Sequence, residues 1–241
     1  MVGEHTSKQF DAELEAVRAR VLQMGGLVES QVRLAMAALI AGDLNQMNVI
    51  VDNDFQVNTL EMEIDEACSR IIARRQPAAS DLRVLLTIVK TITDLERIGD
   101  SAKKIARMGI LLSERNSLYL PRYSQLEYAT SLALEMLRKS LDAFARLDLN
   151  VAAQVVRQDE KVDDEFQSIM RYLITFMMED PRTISTSLEL LFVAKAIERI
   201  GDHAKNIAEY LIYLVKGRDM RHASVEEIER EVLDSPSPRS N

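Results

Sequence analysis

Tryptophan is absent from this 241-residue sequence, cysteine occurs once, at Cys68, and glycine (8) and proline (5) are scarce. A single cysteine excludes an intrachain disulfide, which fits a reducing compartment, and Cys68 has no partner at zinc-ligand spacing. So little glycine and proline argues against turn-rich sandwiches and barrels. No run of about 20 apolar residues occurs, so no segment is expected to span a bilayer. Met1 to Phe10 is polar and lacks the apolar core of a signal peptide. Lys and Arg (30) are outnumbered by Asp and Glu (38), for a formal charge of −8. That balance speaks against nucleic-acid binding, which draws on surplus basic residues, and favours cations and basic partner surfaces. A cytoplasmic protein with no direct membrane insertion is expected.

What the sequence does contain is helical periodicity. Leu14, Val17, Val21, Met24, Val28, Val32, Ala35 and Leu39 are spaced by three or four, the mark of an amphipathic helix. Gly42-Asp43 ends it and Asp43 caps the next, which is expected to run from about Leu44 to Arg75 and stop before Gln76-Pro77. A third helix extends from Ser80 or Asp81 to about Leu112. After a linker at 116–123, three more follow: about Ser124 to Leu147, Asn150 to Met178, and Thr183–Ser185 to Lys216. A short acidic helix is expected over Val225 to Leu233, then a disordered end at 235–241. Gly25-Gly26, inside the first helix, reads as a local bend.

The pattern is one unit written twice. At an offset of 105, Asp43-Leu44-Asn45 falls on Asp148-Leu149-Asn150, Asp54 on Asp159 and Val57 on Val162. Beyond the proline break the offset is 102, and Glu96-Arg97-Ile98-Gly99-Asp100 repeats as Glu198-Arg199-Ile200-Gly201-Asp202. A glycine inside a helix costs about 1 kcal/mol relative to alanine, so its repetition at Gly99 and Gly201 points to close helix approach or to room for a ligand. The expected fold is all-α, two tandem pseudo-symmetric three-helix bundles. The first repeat is residues 1–115, the linker 116–123, the second repeat 124–217 and the tail 218–241.

Glu96 and Asp100 are four apart, as are Glu198 and Asp202, so each pair shares one helix face. On the preceding helix Asp54, Asn58, Glu61 and Asp65 form a stripe that faces Glu96 and Asp100 if the two helices pack antiparallel. In the second copy Asp159 and Asp163 occupy the places of Asp54 and Asn58, while Phe166 and Met170 replace Glu61 and Asp65. Oxygen ligands of this kind suit Mg, Mn, Ca or iron. The competing reading is a solvated acidic face in which Arg97, Arg199, Lys103 and Lys205 pair with Asp100 and Asp202. No Glu-x-x-His pair of a ferritin-like centre is present, and no Ser/His/Asp or Cys/His set offers a nucleophile. The function classes left open are a regulatory binding protein, a metal-dependent hydrolase and a helical adaptor.

Gln76-Pro77, Ser80-Asp81-Leu82-Arg83 and Asp94-Leu95-Glu96-Arg97-Ile98-Gly99-Asp100 resemble the first half of the PhoU family of bacterial phosphate-transport regulators. Leu191-Phe192-Val193-Ala194-Lys195-Ala196-Ile197 and the Glu198-to-Glu209 segment resemble its second half. The resemblance covers roughly residues 5 to 216. It implies an elongated, dimeric molecule that is not an enzyme. It also implies a negative regulator of phosphate uptake and the starvation response, linking the ATPase of the phosphate ABC transporter to a phosphate sensor histidine kinase. Some members hold multinuclear metal clusters on Glu/Asp-x-x-x-Asp motifs, which map here onto Glu96/Asp100, Glu198/Asp202 and Asp159/Asp163. The candidate ligands are therefore Asp54, Glu61, Asp65, Glu96, Asp100, Asp159, Asp163, Glu198 and Asp202. The ion is expected to be divalent or iron-type (Mg, Mn, Fe, Zn or Ca).

Overall fold

A computed structural model describes residues 2–114, 123–218, 220 and 223–233. These form α1 (Val2–Ala41), α2 (Leu44–Asp52), α3 (Phe55–Arg75), α4 (Ala79–Glu114), α5 (Ser124–Arg146), α6 (Leu149–Glu179), α7 (Ile184–Lys216) and α8 (Val225–Leu233), with one 3-10 turn at Pro181–Thr183. Among the described residues there is no strand.

The repeat is visible in how the helices start and stop. Asp43 caps α2 by accepting from the Gln46 N–H at 3.0 Å, and Asp148 caps α6 by accepting from the Asn150 and Val151 N–H groups at 2.9 and 3.2 Å. These side chains satisfy donors that a helix start leaves unpaired. One residue earlier the chain turns through the left-handed region in both copies, at Gly42 (φ +66) and at Leu147 (φ 56). Glycine adopts that conformation freely and leucine does not.

The copies differ in their second helix. A single helix was expected from Leu44 to Arg75, but the structure breaks it at Asn53-Asp54, where Gln56 and Val57 donate to Asn53 and Asp54 carbonyls in tightened i→i−3 bonds at 3.1 Å. Asn and Asp compete with the helix for backbone hydrogen bonds. α6 runs through the equivalent place without a break.

α1, α2–α3 and α4 form one bundle and α5, α6 and α7 the other. They join along a seam in which α4 packs on α7 and α1 on α5. α1 stays helical through Gly25 and Gly26, and a Cβ on Gly25 would stand 2.5 Å from Leu141 Cδ1 of α5. Its role is thus close approach between bundles rather than the expected bend. Residues 8–41 do reach the length and mean hydropathy (1.2) of a membrane span, but half of the apolar window is buried within the protein. Val21, Met24, Val28, Val32 and Ala35, spaced by three or four, are fully buried there and face the core.

α8 forms where the acidic helix was expected. It packs on α6 through Ile228 and Val232, and Glu229 accepts two hydrogen bonds from Arg157 at 2.5 and 2.6 Å. The expectations for the linker at 116–122 and the end at 235–241 fall outside the described residues.

Candidate metal centre

In the second bundle the site is built on α6 and α7. Glu198 and Asp202 project from one face of α7, and Asp159 and Asp163, also four apart, from α6. Gly201 lets the two helices come together. A Cβ there would lie 3.2 Å from Val162 Cγ1 and 3.6 Å from Asp159 Oδ1. One carboxylate oxygen from each of Asp163, Glu198 and Asp202 lies within 4.8 Å of the others. Burial and the crowding of like charge raise these acids. Burial first, and then the carboxylates of Glu198, Asp159 and Asp163, push the Asp202 carboxyl up to about 6. Asp163 is raised as well, by burial and by Asp159 and Glu198.

Two lysines hold the edges of this cluster. Lys205 donates to Asp159 Oδ2 at 2.8 Å. Lys195 donates to Glu198 Oε1 at 2.5 Å and stands over the Phe166 ring at 5.2 Å. Glu198 Oε2 is buried without a hydrogen-bond partner. A buried carboxylate oxygen without a donor is costly, and three carboxylates in mutual reach repel one another. A cation with an oxygen preference would relieve both costs, so the residues present fit a hard or borderline ion.

The first bundle repeats the plan with looser geometry. Asp54, at the α2–α3 break, is buried and accepts from Lys103 Nζ at 2.6 Å, matching the Lys205–Asp159 pair. Gly99 faces Val57 as Gly201 faces Val162; a Cβ on Gly99 would lie 3.3 Å from Val57 Cγ1. Glu96 is raised by burial and then by Asp100, Glu61 and Asp54, so four of the expected ligands share one field. Glu61 is raised by burial and by Asp65, against Arg97 and a hydrogen bond from Thr93. Asp65 is exposed further along α3 and does not join the charges acting on Glu96. Asp100 is exposed, whereas Asp202 is partly buried. The copy with more acidic residues in its sequence is therefore the less gathered one.

The cations near the site take other partners than Asp100 and Asp202. Lys103 and Lys205 reach across to Asp54 and Asp159, not to Asp100 and Asp202. Arg97 approaches Asp94 at 3.9 Å.

His203 is buried in the seam, its Nδ1 2.7 Å from Asp94 Oδ1. Asn206 donates to the same oxygen at 3.3 Å. Asp94 lies between Thr91 and Ile98 on the buried stripe of α4. A carboxylate in a core register was the available signal.

Comparison with known proteins agrees with the two-bundle fold. A family model described as PhoU domain matches residues 21–108 and 128–211, one match per bundle. The chain is 49% identical over 229 residues to the "Phosphate-specific transport system accessory protein PhoU homolog" of Pseudomonas aeruginosa, covering 95% of this chain and 94% of that protein. It is 46% identical over 229 residues to the "Phosphate-specific transport system accessory protein PhoU" of Escherichia coli, with the same coverage of 95% and 94%. The crystal structure of PhoU from Pseudomonas aeruginosa superposes with a TM-score of 0.83 at 50% identity, covering 87% of this chain and 100% of that one. For the phosphate transport system regulatory protein PhoU from Streptococcus pneumoniae the TM-score is 0.80 at 30% identity, with 87% and 98% covered.

Proposed function

The chain belongs to the PhoU domain family, and on that premise we propose that it is an accessory regulator of phosphate transport that works by protein contact. The observation that carries this reading is the similarity of both bundles, over nearly the whole chain, to proteins named as accessory to the phosphate-specific transport system. In this reading the protein sits in the cytoplasm as a homodimer. It lies between the ATPase of a phosphate ABC transporter and a phosphate sensor histidine kinase, and it restrains uptake and the starvation response when phosphate is plentiful. An exposed apolar stripe at Ile184, Leu188 and Phe192 on α7 supports a role in contacts, since such residues spaced by four line one helix face. The reading assigns no catalytic step.

The same proposal gives the acidic centres a structural task. Asp159, Asp163, Glu198 and Asp202 would hold a divalent or iron-type cation in the second bundle. Asp54, Glu61, Glu96 and Asp100 are the corresponding set in the first. A bound ion supplies positive charge that ties α6 to α7 and α3 to α4. The residues themselves set the helix spacing through Gly201 and Gly99 and hold the outer carboxylates with Lys205 and Lys103.

Deleting the gene should derepress alkaline phosphatase in phosphate-rich medium. Unchanged expression would refute the regulatory reading. Metal analysis of protein purified without chelator should find bound ion whose amount per chain falls when Glu198→Gln is combined with Asp202→Asn; an ion content unchanged in that variant would remove the assignment to the second bundle.

A further inference from the structure

The acidic chain holds one strongly basic cleft. It lies in the seam between α4 and α7, encloses about 390 Å³, and is lined by Arg97, Lys103, Lys104, Arg107, Lys195 and Arg199 with Asp100 as its one carboxylate. Lys103 and Lys195 are engaged by Asp54 and Glu198, and Arg97 lies 3.9 Å from Asp94. Lys104 stands over the Phe192 ring at 5.1 Å. Among the described residues, none of Lys104, Arg107 and Arg199 forms an ion pair. Three cations that form no ion pair thus share one partly enclosed space with the single carboxylate of Asp100.

The internal repeat provides a control for this observation. The seam relates each position to one 102 residues away, so the cleft has a counterpart on its other side. There Asn206 stands for Lys104, Glu209 for Arg107, Thr93 for Lys195 and Asp94 for Ala196. That side is filled by the buried Asp94–His203–Asn206 cluster. The two copies have diverged so that one side of the seam is sealed by an acid and the other is open and basic.

We propose that this cleft binds a multivalent phosphate-class oxyanion: inorganic phosphate, pyrophosphate or the phosphate tail of a nucleotide. The guanidinium fork of arginine matches phosphate oxygens in pairs, and Arg107 and Arg199 present two such forks from facing helices. Lys104 adds a point charge, and Phe192 gives the cleft an apolar wall on which a base can stack. The proposal does not rest on the regulatory reading, because the cleft binds the anion or fails to whatever protein the chain contacts.

The test is calorimetric titration of the full chain, stripped with chelator, at low ionic strength. Inorganic phosphate, pyrophosphate and ATP are the ligands, and a glutamate-rich peptide is the comparison. The expected result is saturable binding of at least one phosphate compound at one site per chain. Affinity should fall with added salt, and by about tenfold or more in the Arg107→Gln/Arg199→Gln variant, since charge-assisted contacts are lost. ATP bound more tightly than pyrophosphate would assign a nucleotide; equal binding would assign the phosphate groups alone; either upholds the site. An Arg107→Lys/Arg199→Lys variant should fall in between, keeping charge but not the forks. Absence of saturable binding overturns the proposal. So does binding unchanged in the arginine variants, or lost in Glu198→Gln/Asp202→Asn but not in them, which would route the anion through residual metal. A peptide bound as tightly as every phosphate compound would also overturn it, replacing the anion by an acidic protein segment. Helicity by circular dichroism separates loss of binding from loss of fold.

Discussion

Replacing Asp202 by asparagine should stabilise the metal-free protein, although it removes a residue from the centre of the site. The Asp202 carboxyl is held at about 6 rather than its ordinary 3.8, by burial and then by Glu198, Asp159 and Asp163. A raised acid binds its proton more tightly in the folded chain than in the unfolded one. Stability from this group is therefore full below about 3.8 and is lost as pH climbs through about 6. At about 1.36 kcal/mol per pH unit the full shift would be worth about 3 kcal/mol, and solvent screening of this half-buried group leaves about 1–2 kcal/mol lost by neutral pH. The substituted amide would carry no charge to repel, so the variant should recover up to that amount and lose this part of the pH dependence. For a chain of this size about 1–2 kcal/mol corresponds to on the order of 2–8 °C in the unfolding midpoint. The assay is thermal or urea unfolding with chelator at pH about 5 and about 7.5. Wild type should be more stable at the lower pH, and that gain should shrink in the variant. With saturating metal the order should reverse, because an ion at about 100 times its Kd adds about 2.7 kcal/mol to the protein that binds it. Metal-free Asp202→Asn that is no more stable than wild type at the higher pH, or that keeps the same gain in acid, would refute the argument from crowded carboxylates.

Leu147→Gly should raise the unfolding free energy by about 1 kcal/mol, because Leu147 holds the left-handed turn (φ 56) that Gly42 makes in the other copy and leucine pays roughly 1–2 kcal/mol there; urea unfolding measures it. Lys205→Met should cost about 1–3 kcal/mol in chelator, since Asp159 is buried and loses its 2.8 Å partner. Gly201→Leu should destabilise by about 1–3 kcal/mol or more, because even a Cβ there meets Val162 at 3.2 Å. The same variant should release bound metal by spreading α6 from α7, which elemental analysis reads.

What could be read along one helix was legible in the sequence. Asp43 and Asp148 announce helix starts, and they cap α2 and α6 as expected. The repeated Glu-Arg-Ile-Gly-Asp segments locate the two acidic faces, and the mid-helix glycines foretell close packing. What depends on pairs of helices was not legible. Counting acids favoured the first bundle, yet Asp163, Glu198 and Asp202 draw together in the second. Register on α3 leaves Asp65 outside the group around Glu96. The break at Asn53-Asp54 has no counterpart in α6, and no proline or glycine marks it. The basic cleft and the Asp94–His203 contact join residues about a hundred positions apart, so they follow from how α4 crosses α7.

That crossing also decides how firmly the two bundles act as one body. Both helices of the α4–α7 seam are rich in buried apolar residues, including Leu95, Ile98, Ile200 and Ala204, and apolar packing alone does not fix register. Asp94 and His203 do so at one point, with a buried 2.7 Å contact between residues that are 1% and 7% exposed. Removing either one strands the other in the interior. Asp94→Leu and His203→Leu should each cost on the order of 1–3 kcal/mol, the desolvation cost of a buried polar group without its partner. The double variant strands only Asn206, which is partly exposed, so its cost should fall short of the sum by about 1 kcal/mol or more. A double-mutant cycle by urea unfolding measures the shortfall. Additive costs would mean the contact couples nothing, and the seam would then be held by its apolar residues alone.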